Sequence, residues 1–203
     1  MLYIKFLLAS LILINTNANT DWKLRKDDMG VRIYTRSVAG SPFEEFRAVV
    51  TIPKTTITNV LDVITDVKNY PINFPNCSSA AVLLQKDRYD DIHYIIIDTP
   101  WPVKKRDAIY EASTSISPDR KHAQVKLVPR SDYKEERAEF IRVHNGSGFW
   151  ELDEVTTNTI QVVYQFHADP GGEIPAWIAN AVIVSNPLKT MQSLRDKTKK
   201  LQN

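Results

Sequence analysis

Residues 169–200 read DPGGEIPAWIANAVIVSNPLKTMQSLRDKTKK, and this stretch decides how the rest of the chain must fold. It begins with a predicted tight turn, because Pro170 presets one φ angle and Gly171 and Gly172 tolerate positive φ. Pro175 fits the first turn of a helix, where its missing N–H is not needed. A long C-terminal helix is therefore predicted to follow this turn.

The predicted helix has an apolar face at the spacing of helical turns. Its first half is apolar almost all round, whereas charged side chains become frequent after Pro187. Such a segment is either buried on every side as a plain core helix or covered by lipid or a partner, and the pattern leaves both open. Pro187 predicts a kink near Ser185 and Asn186. The face consists of Ile174, Trp177, Ile178, Ala181, Val182, Ser185, Leu188, Met191 and Leu194.

The first residues have the features of a secretory signal. Lys5 precedes an apolar run over residues 6–14, and small residues follow at 16–18, where a signal peptidase would cut. The run is too short to span a bilayer. We expect a cleaved signal peptide at 1–18, a single domain at 19–203, and a periplasmic or secreted protein. A buried first helix or an uncleaved anchor is the alternative.

Composition excludes several classes of protein. The formal net charge of +2 gives no reason to expect nucleic-acid binding. The single cysteine, Cys77, rules out an intramolecular disulfide and is expected to pack as a small apolar residue. The four histidines lack metal-ligand spacing, so we expect no metal site and no cofactor. We expect a monomer.

The middle of the chain predicts an antiparallel sheet. Residues 22–29 suggest a helical turn, 31–38 and 43–52 a hairpin, and 57–67 a helix with one apolar stripe. Short strands separated by turn residues then follow. A sheet this long must curl, and curling around the last helix buries both apolar surfaces. These strands are predicted at 80–85, 92–98, 108–116, 123–128, 138–143, 149–154 and 159–167.

Four motifs, in this order, carry a resemblance to a known family. They are Asp66-Val67-Lys68-Asn69-Tyr70-Pro71, Pro100-Trp101-Pro102-Val103-Lys104-Lys105-Arg106-Asp107, Gly148-Phe149-Trp150-Glu151-Leu152 and Asp169-Pro170-Gly171-Gly172-Glu173-Ile174-Pro175-Ala176-Trp177. Over residues 21–200 the chain resembles the START lipid-transfer domains, within the helix-grip group that includes Bet v 1-like proteins and polyketide cyclases. The resemblance implies an α+β helix-grip fold, in which a curved antiparallel sheet wraps around a long C-terminal helix and encloses a hydrophobic cavity.

The resemblance also implies a tunnel that holds one lipid or sterol-like molecule. The lid would be the helix at 174–194 together with the loop at 101–105. Strand residues are assigned to the tunnel by alternation, and a register error of one residue would reverse any of them. The candidate ligand contacts are Tyr94, Ile96, Tyr110, Trp150, Tyr164 and Phe166 on strands, Trp177, Ile178, Ala181, Val182 and Met191 on the helix, and Trp101, Val103, Arg106 and Asp107 in or after the loop.

Two features of the loop and the strand after it have separate interpretations. Arg106 and Asp107 are adjacent on a strand and point to opposite faces, so at most one reaches the cavity. For this pair a structural role is favoured over ligand contact. Trp101-Pro102-Val103 beside Lys104 and Lys105 places apolar and basic groups on an exposed turn, which suggests transient contact with an anionic membrane surface.

Catalysis requires more than the sequence offers. No nucleophile elbow or phosphate-binding glycine loop is present. The enzymatic alternative is a cyclase or hydrolase of a hydrophobic small molecule, in which Arg106, Asp107 or Tyr110 would polarise a carbonyl. A third possibility is an interaction module whose helix face docks a partner protein. We expect a lipid-binding or lipid-transfer protein without catalytic activity, and the sequence does not identify the lipid.

Overall fold

The structure, a computed structural model, describes residues 21–172, 174 and 176–201, with the side chains of 176–181 excepted. The predicted signal peptide and Pro175 lie outside these residues. Within them are ten strands, three α-helices and two short 3-10 helices. In order, the strands and α-helices are β1 Lys23–Asp28, β2 Val31–Ser37, β3 Glu44–Pro53, α1 Ile57–Ile64, α2 Tyr70–Asn73, β4 Cys77–Gln85, β5 Asp91–Ile97, β6 Arg106–Ile116, β7 His122–Pro129, β8 Ile141–Arg142, β9 Asn145–Thr156, β10 Thr159–Asp169 and α3 Ala176–Lys200.

The strands form one curved sheet in the order β1-β2-β3-β10-β9-β7-β6-β5-β4, and every neighbouring pair on this path is antiparallel. The short strand β8 lies off this path and pairs with β6 in parallel. α3 lies against the concave face, where it contacts β2, β3 and α1. The predicted helix-grip architecture is therefore confirmed.

The core forms where the second half of α3 meets β2 and β3. Met191 and Leu194 of α3 are fully buried, as are Ile33 of β2 and Ile52 of β3. The strand residues recur at every second position, so one face of each strand is apolar and packs against the helix. Hydrophobic burial at this contact fixes α3 to one side of the sheet.

α1 closes one end of the concave face. It begins at Thr56, whose hydroxyl accepts a hydrogen bond from the Asn59 amide at 3.2 Å. The apolar stripe predicted for this helix is confirmed, since Ile57, Val60, Leu61 and Ile64 are all buried. α1 and α3 therefore share one core.

Two predictions at the edges of the sheet are wrong. Residues 22–29 contain the edge strand β1, which pairs with β2, and not a helical turn. Polar residues fill β1 because an edge strand faces water, so the apolar alternation that identifies strands is missing. Of the strand predicted at 138–143, only the two residues of β8 are in a strand.

Residues 145–148 separate the strands predicted at 138–143 and 149–154, but in the structure they begin β9. Gly148 lies in the strand because the neighbouring strand approaches it closely. A Cβ atom there would be 2.2 Å from the Gln165 carbonyl oxygen and 2.4 Å from the Phe166 ring. Glycine at this position marks a close packing contact between β9 and β10.

A buried ion pair attaches the segment 130–144 to the convex face. Arg142 donates from Nε and Nη2 to the two carboxylate oxygens of Asp107, each at 2.9 Å. Tyr94 donates its hydroxyl to the same carboxylate at 3.0 Å. Burial opposes ionisation of Asp107, but the hydrogen bonds from Arg142 and Tyr94 outweigh it and lower its pKa. The two charged side chains are each 1% exposed.

We predict that replacing Asp107 by alanine destabilises the protein by about 3–5 kcal/mol, because Arg142 is then a buried charge without its partner. The measurement is the free energy of unfolding in urea. The matched control is Glu139→Ala, which removes an exposed ion pair with Arg137 and should leave stability almost unchanged. Equal losses in the two variants would contradict the structural role of the buried pair.

Candidate ligand-binding site

A cavity of about 400 Å³ lies between the concave face of the sheet and α3. It forms because α3 packs closely on β2 and β3, whereas the opposite part of the sheet, including β5 and β6, curves away from the helix. Its walls are largely apolar, and its volume lies in the range of small-molecule sites. The lining includes Phe46, Phe74, Ile95, Ile97, Val103, Arg106, Tyr110, Leu127, Val143, Trp150, Tyr164, Phe166, Val182, Ile183 and Pro187.

Aromatic rings form the rigid part of the wall. Trp150 of β9 and Tyr164 of β10 stack with their centroids 3.9 Å apart and their planes nearly parallel. Phe46 of β3 meets Tyr164 edge to face at 5.1 Å. Tyr110 of β6 meets Phe166 in the same way at 5.6 Å. These contacts hold a preformed apolar surface on which a hydrocarbon ligand can pack.

A buried histidine introduces polarity into this wall. His93 of β5 is 2% exposed, and its Nδ1–H donates to the Asp91 carboxylate at 2.5 Å. Its ring lies edge to face against Tyr70, with the centroids 5.6 Å apart. Burial also raises the pKa of Tyr110 and Tyr164 above the ordinary value, so both phenols remain protonated at neutral pH.

Arg106 joins the loop that the resemblance assigns to the lid to the turn that precedes α3. Its guanidinium donates to the carbonyl oxygen of Lys104 at 2.5 Å, in the loop before β6. It also donates to those of Pro170 at 3.3 Å and Gly171 at 3.0 Å, in the turn before α3. The Arg106 side chain lines the cavity. Because its guanidinium donors bind backbone oxygens, we assign it the role of linking the loop to the turn.

The structure places about half of the predicted contacts in the cavity wall. Val103, Arg106, Tyr110, Trp150, Tyr164, Phe166 and Val182 line it. The side chains of Trp177, Ile178 and Ala181 lie outside the described residues.

Five predicted contacts lie elsewhere. Tyr94 and Ile96 point to the convex face, where they belong to a small second apolar cluster, and Asp107 pairs with Arg142 on that same face. Trp101 is 90% exposed at the surface, and Met191 is buried in the core between α3 and the sheet. The alternation on β5 was assigned one residue out of register, because every residue from Ile92 to Ile97 is at least partly buried and both faces are covered.

Several lining residues were missed. His93, Ile95 and Ile97 follow from the corrected register of β5. Phe46 shares the inward face of β3 with Ala48 and Val50, and that alternation is visible in the sequence. Asn76 reaches the cavity from the loop after α2, and its side chain donates to the Asn186 side chain of α3 at 2.5 Å. No local pattern predicts this last contact, which joins distant segments.

Two further observations concern metals and membranes. One group of side chains in the described part of the chain has metal-ligating atoms within 4.8 Å of one another, namely His122, Glu151 and Asp153. It lies on the convex face, away from the cavity, and His122 already pairs with Asp153 at 2.7 Å. Over the same residues, no helix has both the length and the apolarity needed to span a bilayer.

Comparison with known proteins agrees with this geometry. The START domain family model matches residues 7–203. The chain belongs to the START domain family. An uncharacterized protein of Pseudomonas aeruginosa is 33% identical to this START protein over 180 residues, which cover 89% of this chain and 88% of the relative.

Solved structures extend the comparison. A STAR-related lipid transfer protein from Xanthomonas axonopodis is 32% identical, with a TM-score of 0.79 over 88% of this chain and 98% of that one. The Zhui aromatase/cyclase of a Streptomyces species shares the fold at 14% identity, with a TM-score of 0.53 over 78% of this chain and 95% of that one. The START fold together with the apolar cavity indicates the binding of a hydrophobic ligand.

We predict that Arg106→Lys loosens the loop at 98–105 and the turn at 169–172 together, because one ammonium cannot span three carbonyl oxygens as a guanidinium does. Hydrogen–deuterium exchange measured by mass spectrometry should show faster exchange in both segments and unchanged exchange in β2 and β3. Lys104→Met, which changes an exposed side chain of the same loop, is the control. Faster exchange in only one segment would refute the coupling.

Proposed function

We propose that this START-domain protein binds one lipid in the cavity beneath α3 and transfers it between membranes. The observation that carries the proposal is a preformed, largely apolar cavity of about 400 Å³ in a small domain. In a well-packed protein interior, a void of this size forfeits packing energy unless a ligand fills it. The helix at 174–194 and the loop at 101–105 serve as the lid.

The affinity comes mainly from hydrocarbon burial. Each 100 Å² of apolar surface removed from water contributes about 2.5 kcal/mol before the costs of association are subtracted. The stacked Trp150–Tyr164 pair and the edge-to-face contact of Phe46 keep the wall in place before the ligand arrives. A preformed wall reduces the ordering cost of binding, so a small lipid can be held by few polar contacts.

Transfer requires contact with a membrane, and Trp101 supports that step. Its side chain is 90% exposed at the tip of the loop that Arg106 fastens to the turn before α3. Lys104 is exposed in the same loop, and Lys105 pairs with Asp98 at 2.7 Å. A tryptophan beside basic side chains suits the interface of an anionic bilayer. Docking through this loop would bring the lid to the membrane surface.

We propose further that the protein acts as a monomer outside the cytoplasm. The support for export is the sequence of residues 1–18, with its basic start, apolar run and small residues before position 19. N-terminal sequencing of the protein recovered from a periplasmic extract tests this point. A mature chain that begins at residue 19 is expected, and an intact Met1 in that extract would contradict cleavage.

A helix-grip enzyme is the second candidate, and the Asp91–His93 pair is the observation that favours it. A histidine oriented by a carboxylate can act as a general base. Of the three alternatives named from the sequence, Asp107 faces away from the cavity, and the Arg106 donors bind backbone oxygens, so only Tyr110 is available in the wall. We therefore favour a lipid carrier over an enzyme. Recovery of a chemically altered ligand after incubation with the protein would favour the enzyme.

We predict that the purified protein carries an apolar adduct in native mass spectrometry and that Val182→Asp abolishes it. Val182 lines the cavity from α3, and a carboxylate there would be desolvated by any hydrocarbon ligand. Val155→Asp, at an exposed position of β9, is the control and should retain the adduct. Organic extraction then identifies the ligand class. A wild-type protein that stays free of adduct after incubation with a lipid extract would refute the carrier proposal.

We predict that Trp101→Ala lowers the rate of lipid transfer between anionic vesicles roughly tenfold, which corresponds to the loss of one interfacial tryptophan. The variant should keep the same native-mass adduct, because Trp101 lies outside the cavity. Tyr133→Ala, which removes an exposed aromatic ring from another loop, is the control. Equal transfer rates for wild type and Trp101→Ala would exclude docking through this loop.

A further inference from the structure

Several polar atoms in the cavity wall have no hydrogen-bond partner among the described residues. They include Nε2 of His93 and the hydroxyl oxygens of Tyr110 and Tyr164. Tyr70 lines the same cavity and differs, because its hydroxyl donates to the Ile64 carbonyl at 2.7 Å. Polar groups inside proteins are nearly always hydrogen-bonded. We therefore expect a ligand in the cavity to form hydrogen bonds with these three atoms.

The Asp91 carboxylate determines what His93 offers to a ligand. Asp91 and His93 lie two residues apart on the same face of β5, and both are 2% exposed. Because Nδ1–H donates to Asp91, the neutral ring keeps its lone pair on Nε2. His93 therefore presents a hydrogen-bond acceptor to the cavity. A ligand that uses it must carry a donor.

Tyr110 lies beside His93 on the neighbouring strand. The two residues are cross-strand partners of β5 and β6, and their ring centroids are 6.2 Å apart. The Tyr110 hydroxyl reaches over to β9, where a Cβ atom on Gly146 would lie 3.3 Å from it. Because Gly146 has no side chain, β9 does not block access from the cavity to the Tyr110 hydroxyl. Tyr110 can donate to a ligand oxygen while His93 accepts from it.

The charges around this part of the wall oppose an anionic ligand. The nearest charged partner of His93 is the buried Asp91 carboxylate, and both phenols remain neutral because burial raises the pKa of each. Arg106 lies four residues from Tyr110 along β6, a separation of about 13 Å. Its guanidinium donates to the carbonyl oxygens of Lys104, Pro170 and Gly171. A phosphate or carboxylate beside His93 would face a like charge without a nearby cation.

We infer that His93 and Tyr110, assisted by Tyr164, form a polar subsite that binds the uncharged hydroxyl group of a lipid alcohol. The hydroxyl donates to His93 Nε2 and accepts from Tyr110, and the hydrocarbon extends along the aromatic wall toward the lid. This inference rests on the proposed carrier function and specifies the head group of its ligand. Long-chain alcohols, monoacylglycerols and sterols share this chemistry.

The test uses three probes with the same hydrocarbon chain, namely 1-dodecanol, dodecanoate and dodecane. Each competes with the neutral dye N-phenyl-1-naphthylamine for the wild-type protein, and dye fluorescence reports displacement. We expect dodecanol to bind about tenfold more tightly than either other probe, which is what the two hydrogen bonds of its hydroxyl contribute together. Removal of one of these hydrogen bonds in His93→Phe or Tyr110→Phe should bring dodecanol to within about threefold of dodecane measured on the same variant.

Tyr133→Phe, which removes a hydroxyl outside the cavity, is the matched control and should keep the preference for dodecanol. Tyr110→Phe removes a single oxygen, so it decides the test if His93→Phe fails to fold around Asp91. Wild-type protein that binds the dye but prefers dodecanoate, or does not distinguish dodecanol from dodecane, overturns the inference and leaves the carrier proposal standing. If neither the dye nor any of the three probes binds, both the hydroxyl-subsite inference and the carrier proposal are overturned.

Discussion

One helix has to cover the concave face of a sheet that is wider than the helix. α3 resolves this by packing on one side, where Met191 and Leu194 meet the buried residues of β2 and β3. On the opposite side α2 packs on β4, and a cavity remains between α3 and the strands β5 and β6. Ligand binding therefore follows from an asymmetry in packing, and the same residues that stabilise the fold determine where the empty space lies.

Two consecutive residues of β6 each attach a different part of the chain to the sheet. Arg106 points to the concave side and joins the loop at 98–105 to the turn before α3. Asp107 points to the convex side and anchors the segment 130–144 through Arg142. The alternation of a strand makes both attachments possible within one dipeptide. The position of the lid is thus coupled to a strand in the middle of the sheet.

The sequence predicts those parts of the fold in which one face is apolar and the other polar. α1, the second half of α3 and the hairpin of β2 and β3 have this pattern, and all were recognised. The edge strand β1 was missed because it is polar on both faces. The register of β5 was reversed because Ile92 and Tyr94 are buried in the apolar cluster on the convex face, while His93 and Ile95 line the cavity on the other face. Alternation carries no information where both faces are buried. The contact of Asn76 with Asn186 joins residues 110 positions apart, and no local pattern encodes it.

Two of the four tryptophans, Trp101 and Trp150, lie in contrasting surroundings. Trp150 is stacked on Tyr164 in the cavity wall, whereas Trp101 projects into solvent from the loop. Indole emission shifts to shorter wavelength when the ring leaves water, so a change at Trp150 would follow filling of the cavity and a change at Trp101 would follow contact with a bilayer. With each indole replaced in turn, the intrinsic fluorescence of the protein distinguishes loading from docking without an attached label.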